Sequence, residues 1–263
     1  MKTINEFQKM KNEKRKISVV TCYDYWSARI IDGTDIDAVL VGDSAAMVMH
    51  GFETTINAEL EMMGYHVAAV KRGLKNKFLI ADLPFLAHKK SKEILVDAID
   101  LLMKAGAQAI KIEGANGNIE IIKNLVDTGI PIMGHLGLTP QSVNQFGGFK
   151  LQGTNETAAD RILNDARLLQ QAGCFSIVLE MVPAQLAKLI SEELTIPTIG
   201  IGAGVYTDGQ VLVLQDLLGL SNGFNPKFLR KYLDGSELIK GALNNFNSDV
   251  KKENYPGEKE SYH

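Results

Sequence analysis

AVLVGDS, residues 38–44, is a run of four apolar residues followed by a glycine, an acid and a hydroxyl. The run is short enough for a buried strand, and the polar residues after it mark where the strand stops. The same form recurs in FLIADLP at 78–84, AIKIEG at 109–114 and FSIVLEM at 175–181. Side chains alternate across a strand, so each acid joins the residues two and four places before it. On this reading Val39, Val41 and Asp43 share a face, as do Phe78, Ile80 and Asp82. Ala109, Lys111 and Glu113 share another, and Ser176, Val178 and Glu180 a fourth.

Further runs at 17–24, 131–138, 197–204 and, less distinctly, 210–214 bring the strand candidates to eight. Segments with helical periodicity lie between or after them at 25–31, 59–73, 92–105, 118–127, 157–172, 184–193 and 226–244. Alternating strands and helices favour a parallel sheet, because each crossover must return the chain to the starting edge. Eight strands favour closure over an open doubly wound sheet. The expected fold is therefore an α/β, single-domain (β/α)8 TIM barrel, which suits a chain of 263 residues. Residues 1–246 are assigned to the barrel domain, and the polar segment 247–263 to a tail with too little apolar surface to order itself. His263, inside that tail, needs no chemical role. The segment 137–156, GLTPQSVNQFGGFKLQGTNE, follows the fifth strand and reads either as a cover over an active site or as a surface excursion.

A hydrophobic fraction of 45% and a charged fraction of 22% are those of a packed globular protein. The net charge of −3 gives no reason to expect a nucleic acid or an anionic membrane as partner. Two cysteines, Cys22 and Cys174, cannot build a disulfide framework and point to a reducing compartment. The segment MKTINEFQKMKNEKRK lacks the apolar stretch of a signal peptide, and no run approaches a membrane span. The expected location is cytoplasmic.

A parallel barrel gathers the C-terminal ends of its strands at one mouth, where such enzymes place their chemistry. Carboxylates converging there repel one another unless a cation or proton intervenes. Magnesium takes hard oxygen ligands and keeps positions for water or substrate; manganese would use the same set, whereas zinc lacks its usual His and Cys. Taken singly, Asp43 or Asp82 reads more simply as a helix N-cap. Glu113 is a poor cap and shares its face with Lys111, which argues for a site. A lysine facing a barrel interior needs an anion, either a structural Glu or, beside clustered acids, a substrate carboxylate. His135 shares alternation with Met133 and is placed to orient a substrate, although a lone His is more often structural. His50, His66 and His88 keep a structural or surface reading. IGIGAG at 199–204 lacks GxGxxG spacing, so close backbone packing is favoured over anion binding.

Eight segments together carry a resemblance: TCYDYWSARIID, VLVGDSAAMVMHG, FLIADLPF, AIKIEG, PIMGHLGLTPQS, IVLEMVP, PTIGIGAG and DGQVLVLQDLLG. In order from Thr21 to Leu220 the chain resembles the ketopantoate (3-methyl-2-oxobutanoate) hydroxymethyltransferase family. The resemblance implies a magnesium-dependent TIM barrel that transfers a hydroxymethyl group from 5,10-methylenetetrahydrofolate, a cosubstrate, to 3-methyl-2-oxobutanoate. Ketopantoate forms on the route to pantothenate. It also implies a homo-oligomer, commonly a decamer. Matched residue by residue, Asp43, Asp82 and Glu113 would hold Mg2+. Asp43, Ser44, Asp82 and Lys111 would contact the oxo acid, and Glu180 would accept the proton. Gln215 stands where many relatives have His, which leaves that position without an assigned role. Two other functions compete: a lyase of the phosphoenolpyruvate mutase and isocitrate lyase type, and a non-catalytic oxo-acid sensor.

Overall fold

Eight short strands close on one another in the computed structural model, which describes residues 3–87, 91–221, 223 and 225–262. His88 and His263 fall outside those residues. The strands are β1 (Ile17–Thr21), β2 (Ala38–Val41), β3 (Phe78–Asp82), β4 (Ala109–Glu113), β5 (Ile132–Gly137), β6 (Ser176–Glu180), β7 (Thr198–Ile201) and β8 (Gly209–Leu212). Each pairs in parallel with the next, and β8 pairs with β1 to complete the barrel. The expected (β/α)8 TIM barrel is the fold.

The helices in chain order are α1 (Ile4–Asn12), α2 (Tyr25–Asp32), α3 (Ala45–Val48), α4 (Leu60–Gly73), α5 (Lys92–Ala105), α6 (Ile119–Asp127), α7 (Val143–Phe146), α8 (Glu156–Gln171), α9 (Ala184–Glu193), α10 (Leu214–Leu217) and α11 (Gly235–Lys251). Local chemistry starts several of them. The Asp24 side chain accepts from the Ser27 N–H at the head of α2, and Asn155 accepts from the Ala158 N–H at the head of α8. One crossover lacks a helix: β7 passes to β8 through residues 202–208 alone.

α1 was not expected from the charged opening segment. Phe7 and Met10, one turn apart, bury among Ile17, Val19, Phe78 and Met133. The Phe7 ring lies 5.5 Å from that of Phe78 and 5.6 Å from that of Phe175. Burying one such ring stabilises by about 1.5–3 kcal/mol, enough to order a short helix whose other faces are polar. Lys11 adds an ion pair to Asp208 at 2.8 Å.

The barrel lies wholly within one compact unit, Met1–Val213; Leu214–His263 form a second. In the second unit the expected helix at 226–244 begins later and runs further, over Gly235–Lys251. Backbone hydrogen bonds from Tyr232 to Leu217 and from Gly235 to Leu218 hold the preceding stretch in turns. The division expected between residues 246 and 247 therefore falls inside a helix. Part of the segment read as an unordered tail is helical.

Candidate active site

The alternation read from sequence holds on four strands. Phe78, Ile80, Ala109, Met133 and Val178 share the barrel core, which turns Asp82, Lys111, Glu113, His135 and Glu180 inward on the same faces. β2 departs from it. Ala38 and Leu40, not Val39 and Val41, join that core, and β2 ends at Val41. Asp43 reaches the site because the chain turns after the strand, and not through the face it was assigned.

Neither aspartate is a local helix cap. Asp82 Oδ2 accepts from the backbone N–H of Asp43 at 3.0 Å. Asp43 Oδ2 accepts from the Gln141 side chain at 2.8 Å. Lys111 Nζ lies 3.0 Å from Asp82 Oδ1, 3.9 Å from Glu113 Oε1 and 3.1 Å from His135 Nδ1. His135 continues the chain of charge: its Nδ1 is 3.4 Å from Glu113 Oε1 and its Nε2 is 3.2 Å from Glu180 Oε2. Ser44 is held by the buried Tyr23, whose hydroxyl meets Ser44 Oγ at 2.8 Å. All the residues expected at the site thus lie in one connected cluster at the C-terminal mouth.

Burial sets the electrostatics. It pushes the Asp43 carboxyl well above its ordinary range, and the neighbouring Asp82 and Glu113 push it further. Burial also raises Asp82, with the Lys111 charge opposing. Glu113 feels the same burial, but His135, Lys111 and the Gln141 amide outweigh it and hold its carboxyl below the usual value. Burial and Lys111 both oppose a proton on His135, yet Glu113 and Glu180 prevail and raise it to about 9. The acids raise Lys111 against its own burial.

Two carboxylate oxygens, Asp82 Oδ1 and Glu113 Oε1, are buried without an aligned hydrogen bond. A hard divalent cation suits such a donor set, since it takes carboxylate oxygens and reverses the cost of gathering them. Among the described residues no group of three or more His, Cys, Asp or Glu side chains is already arranged to hold a metal ion by itself. Magnesium does not require one, because it uses few protein ligands and keeps water or substrate in the rest of its shell.

Gln141 was missed from sequence. Its backbone N–H donates to Glu113 Oε2 at 3.0 Å while its side chain holds Asp43, so one loop residue ties two acids together. It sits in a single 3-10 turn, Pro140–Ser142, too short for any sequence period to aim its side chain. Asn118 was missed too; its amide donates to the Glu113 carbonyl at 2.8 Å and fixes the end of β4. IGIGAG behaves as packing: a Cβ on Gly204 would lie 2.5 Å from that of Ala184. His66 Nδ1 meets the Tyr23 carbonyl at 2.6 Å and its Nε2 meets His50 Nε2 at 2.8 Å.

A family model described as ketopantoate hydroxymethyltransferase matches residues 1–258. The 3-methyl-2-oxobutanoate hydroxymethyltransferase of Bdellovibrio bacteriovorus is 58% identical over 262 residues, covering 100% of both chains. That of Coxiella burnetii is 55% identical over 252 residues, 95% of each chain. Among solved structures, 2,3-dimethylmalate lyase, a PEP mutase/isocitrate lyase superfamily member, superposes with a TM-score of 0.61 at 16% identity. That match covers 100% of this chain and 93% of the lyase, and shows shared architecture. The barrel is common to several chemistries, whereas the whole-length sequence match is specific: this chain belongs to the ketopantoate hydroxymethyltransferase family.

Proposed function

We propose that this chain transfers a hydroxymethyl group from 5,10-methylenetetrahydrofolate to 3-methyl-2-oxobutanoate, giving ketopantoate for pantothenate synthesis. The observation that carries the reading is the placement of Lys111 and three acids on one side of the mouth, with Glu180 joined to them through His135. That arrangement suits removal of a proton beside a ketone. Lys111, 3.0 Å from Asp82, pairs with the substrate carboxylate, and Ser44 and Asp82 orient the oxo group. Glu180 takes the proton from the carbon next to the ketone. His135, which Glu113 and Glu180 bias towards its protonated form, lies between these two acids and steadies Glu180.

Asp43, Asp82 and Glu113 are the residues that would hold Mg2+, which supplies positive charge where the ketone oxygen becomes negative. The enolate forms the new carbon–carbon bond to the folate-derived methylene carbon. Both of that carbon's bonds to folate nitrogen break, and water supplies the hydroxyl. The proton taken by Glu180 and the one released by water go to the nitrogens of tetrahydrofolate. The same reading carries a cytoplasmic homo-oligomer. Among the described residues no helix is long and apolar enough to cross a membrane. The whole-length relatives favour transfer over the lyase reading, because the lyase likeness is one of fold.

Turnover tests it. Purified protein with magnesium, methylenetetrahydrofolate and 3-methyl-2-oxobutanoate should form ketopantoate. Oxo-acid cleavage without folate, and no folate-dependent product, would contradict the reading.

A further inference from the structure

A cavity of about 370 Å³ adjoins the acid cluster. Its walls come from the ends of β4 and β5, the loop carrying α7, and α8. Glu113 and Gln141 line it, but Asp43, Ser44, Asp82, Lys111, His135 and Glu180 do not. It lies beside the proposed oxo-acid site and meets it at Glu113 and Gln141. Its volume falls within the range of roughly 300–1,000 Å³ found for bound ligands of drug size.

The lining has a definite chemical character. Phe85 and Phe146 are half-buried rings, suited to the faces of a flat heterocycle. Asp165, half-buried on α8, presents a carboxylate with no hydrogen bond or ion pair among the described residues. Arg161, one turn earlier and exposed, stands at the rim. Burial raises the Asp165 carboxyl, and Arg161 only partly offsets this. A ligand that donates two hydrogen bonds would relieve that cost.

We propose that this cavity binds the pterin of the reduced folate, with Asp165 accepting from the ring N3–H and the 2-amino group. The proposal rests on the folate-dependent reading above. The amino-oxo edge of a pterin is a planar pair of donors, which a carboxylate meets in a two-pronged contact. Phe85 and Phe146 hold the ring faces, and Arg161 takes an acidic group at the open end. The meeting point at Glu113 brings the one-carbon unit to the oxo acid, as carbon–carbon bond formation requires.

The test compares wild type with Asp165→Asn, which keeps the shape but replaces one acceptor by a donor. Three quantities are read: tetrahydrofolate affinity, KM for methylenetetrahydrofolate, and folate-independent exchange of the oxo acid's β-hydrogen. Both folate quantities should weaken at least about tenfold, since a site built around a polar contact discriminates strongly when it is lost. Exchange should persist, which also shows that the variant folds. Should Asp165→Asn fail to fold, Phe146→Ala carries the same comparison. Wild-type turnover with unchanged folate KM in the variant would overturn the pterin site alone. Wild type that neither binds tetrahydrofolate nor uses it would overturn the proposed function together with this site.

Discussion

His135 Nε2 lies 3.2 Å from Glu180 Oε2, so the acid on β6 is joined to the cluster formed by β3, β4 and the turn after β2 through β5 between them. Because its other ring nitrogen faces Glu113, His135 stands between two carboxylates and holds both ends of the site in register.

A pH-dependent stability follows. The His135 pKa of about 9 in the fold exceeds its ordinary value of 6.5. A raised histidine stabilises fully below its unfolded pKa and loses that stabilisation as pH rises through the folded one. Melts of chelator-treated protein should show a wild-type advantage over His135→Gln that shrinks between pH 6.5 and 9. The shrinkage should be on the order of 3 kcal/mol. A difference that stays constant with pH would contradict this.

Gly137 allows the approach between β5 and β6. Its φ is +90°, and a Cβ there would lie 2.1 Å from the Glu180 carbonyl oxygen. Gly137→Ala must strain this turn by at least about 1–2 kcal/mol and displace the backbone that carries Glu180. Denaturant melts should show the loss, and turnover should fall with it. Wild-type stability and rate together would show that the contact yields freely.

The metal assignment is checked by two variants of different kind. Asp82→Asn removes a proposed ligand and should lower both magnesium affinity and turnover. Gln141→Ala removes the donor to Asp43 and leaves a buried oxygen unpaired, at a cost of about 1–3 kcal/mol, so affinity should fall without abolition. Titration calorimetry with magnesium separates them. Undiminished turnover after exhaustive chelation, with metal content verified as negligible, would sink the assignment.

Where a strand continues to its end, its two-residue period was enough to aim a side chain. Asp82, Lys111, Glu113, His135 and Glu180 were legible for that reason. Asp43 was placed on the wrong face because β2 stops at Val41, and alternation says nothing about the turn beyond. α1 escaped notice because its buried stripe is little more than Phe7 and Met10 in a charged segment. Gln141 and the cavity beside it depend on the segment of short helical turns after β5 meeting α8, a long-range relation that no local pattern encodes. The helix-free passage from β7 to β8 likewise explains why the eighth strand was weakly marked.

The central claim is that Glu180 is the base that enolises the oxo acid. The direct measurement is exchange of the β-hydrogen of 3-methyl-2-oxobutanoate with heavy water, with magnesium and without folate, followed by NMR for wild type and Glu180→Gln. The substitution preserves shape and removes the proton acceptor, which typically costs about 10²–10⁴-fold. Exchange should fall by that factor while magnesium and oxo-acid binding persist, because their proposed contacts remain. Exchange by Glu180→Gln at the wild-type rate would mean that another group takes the proton, and the account would be wrong at its centre.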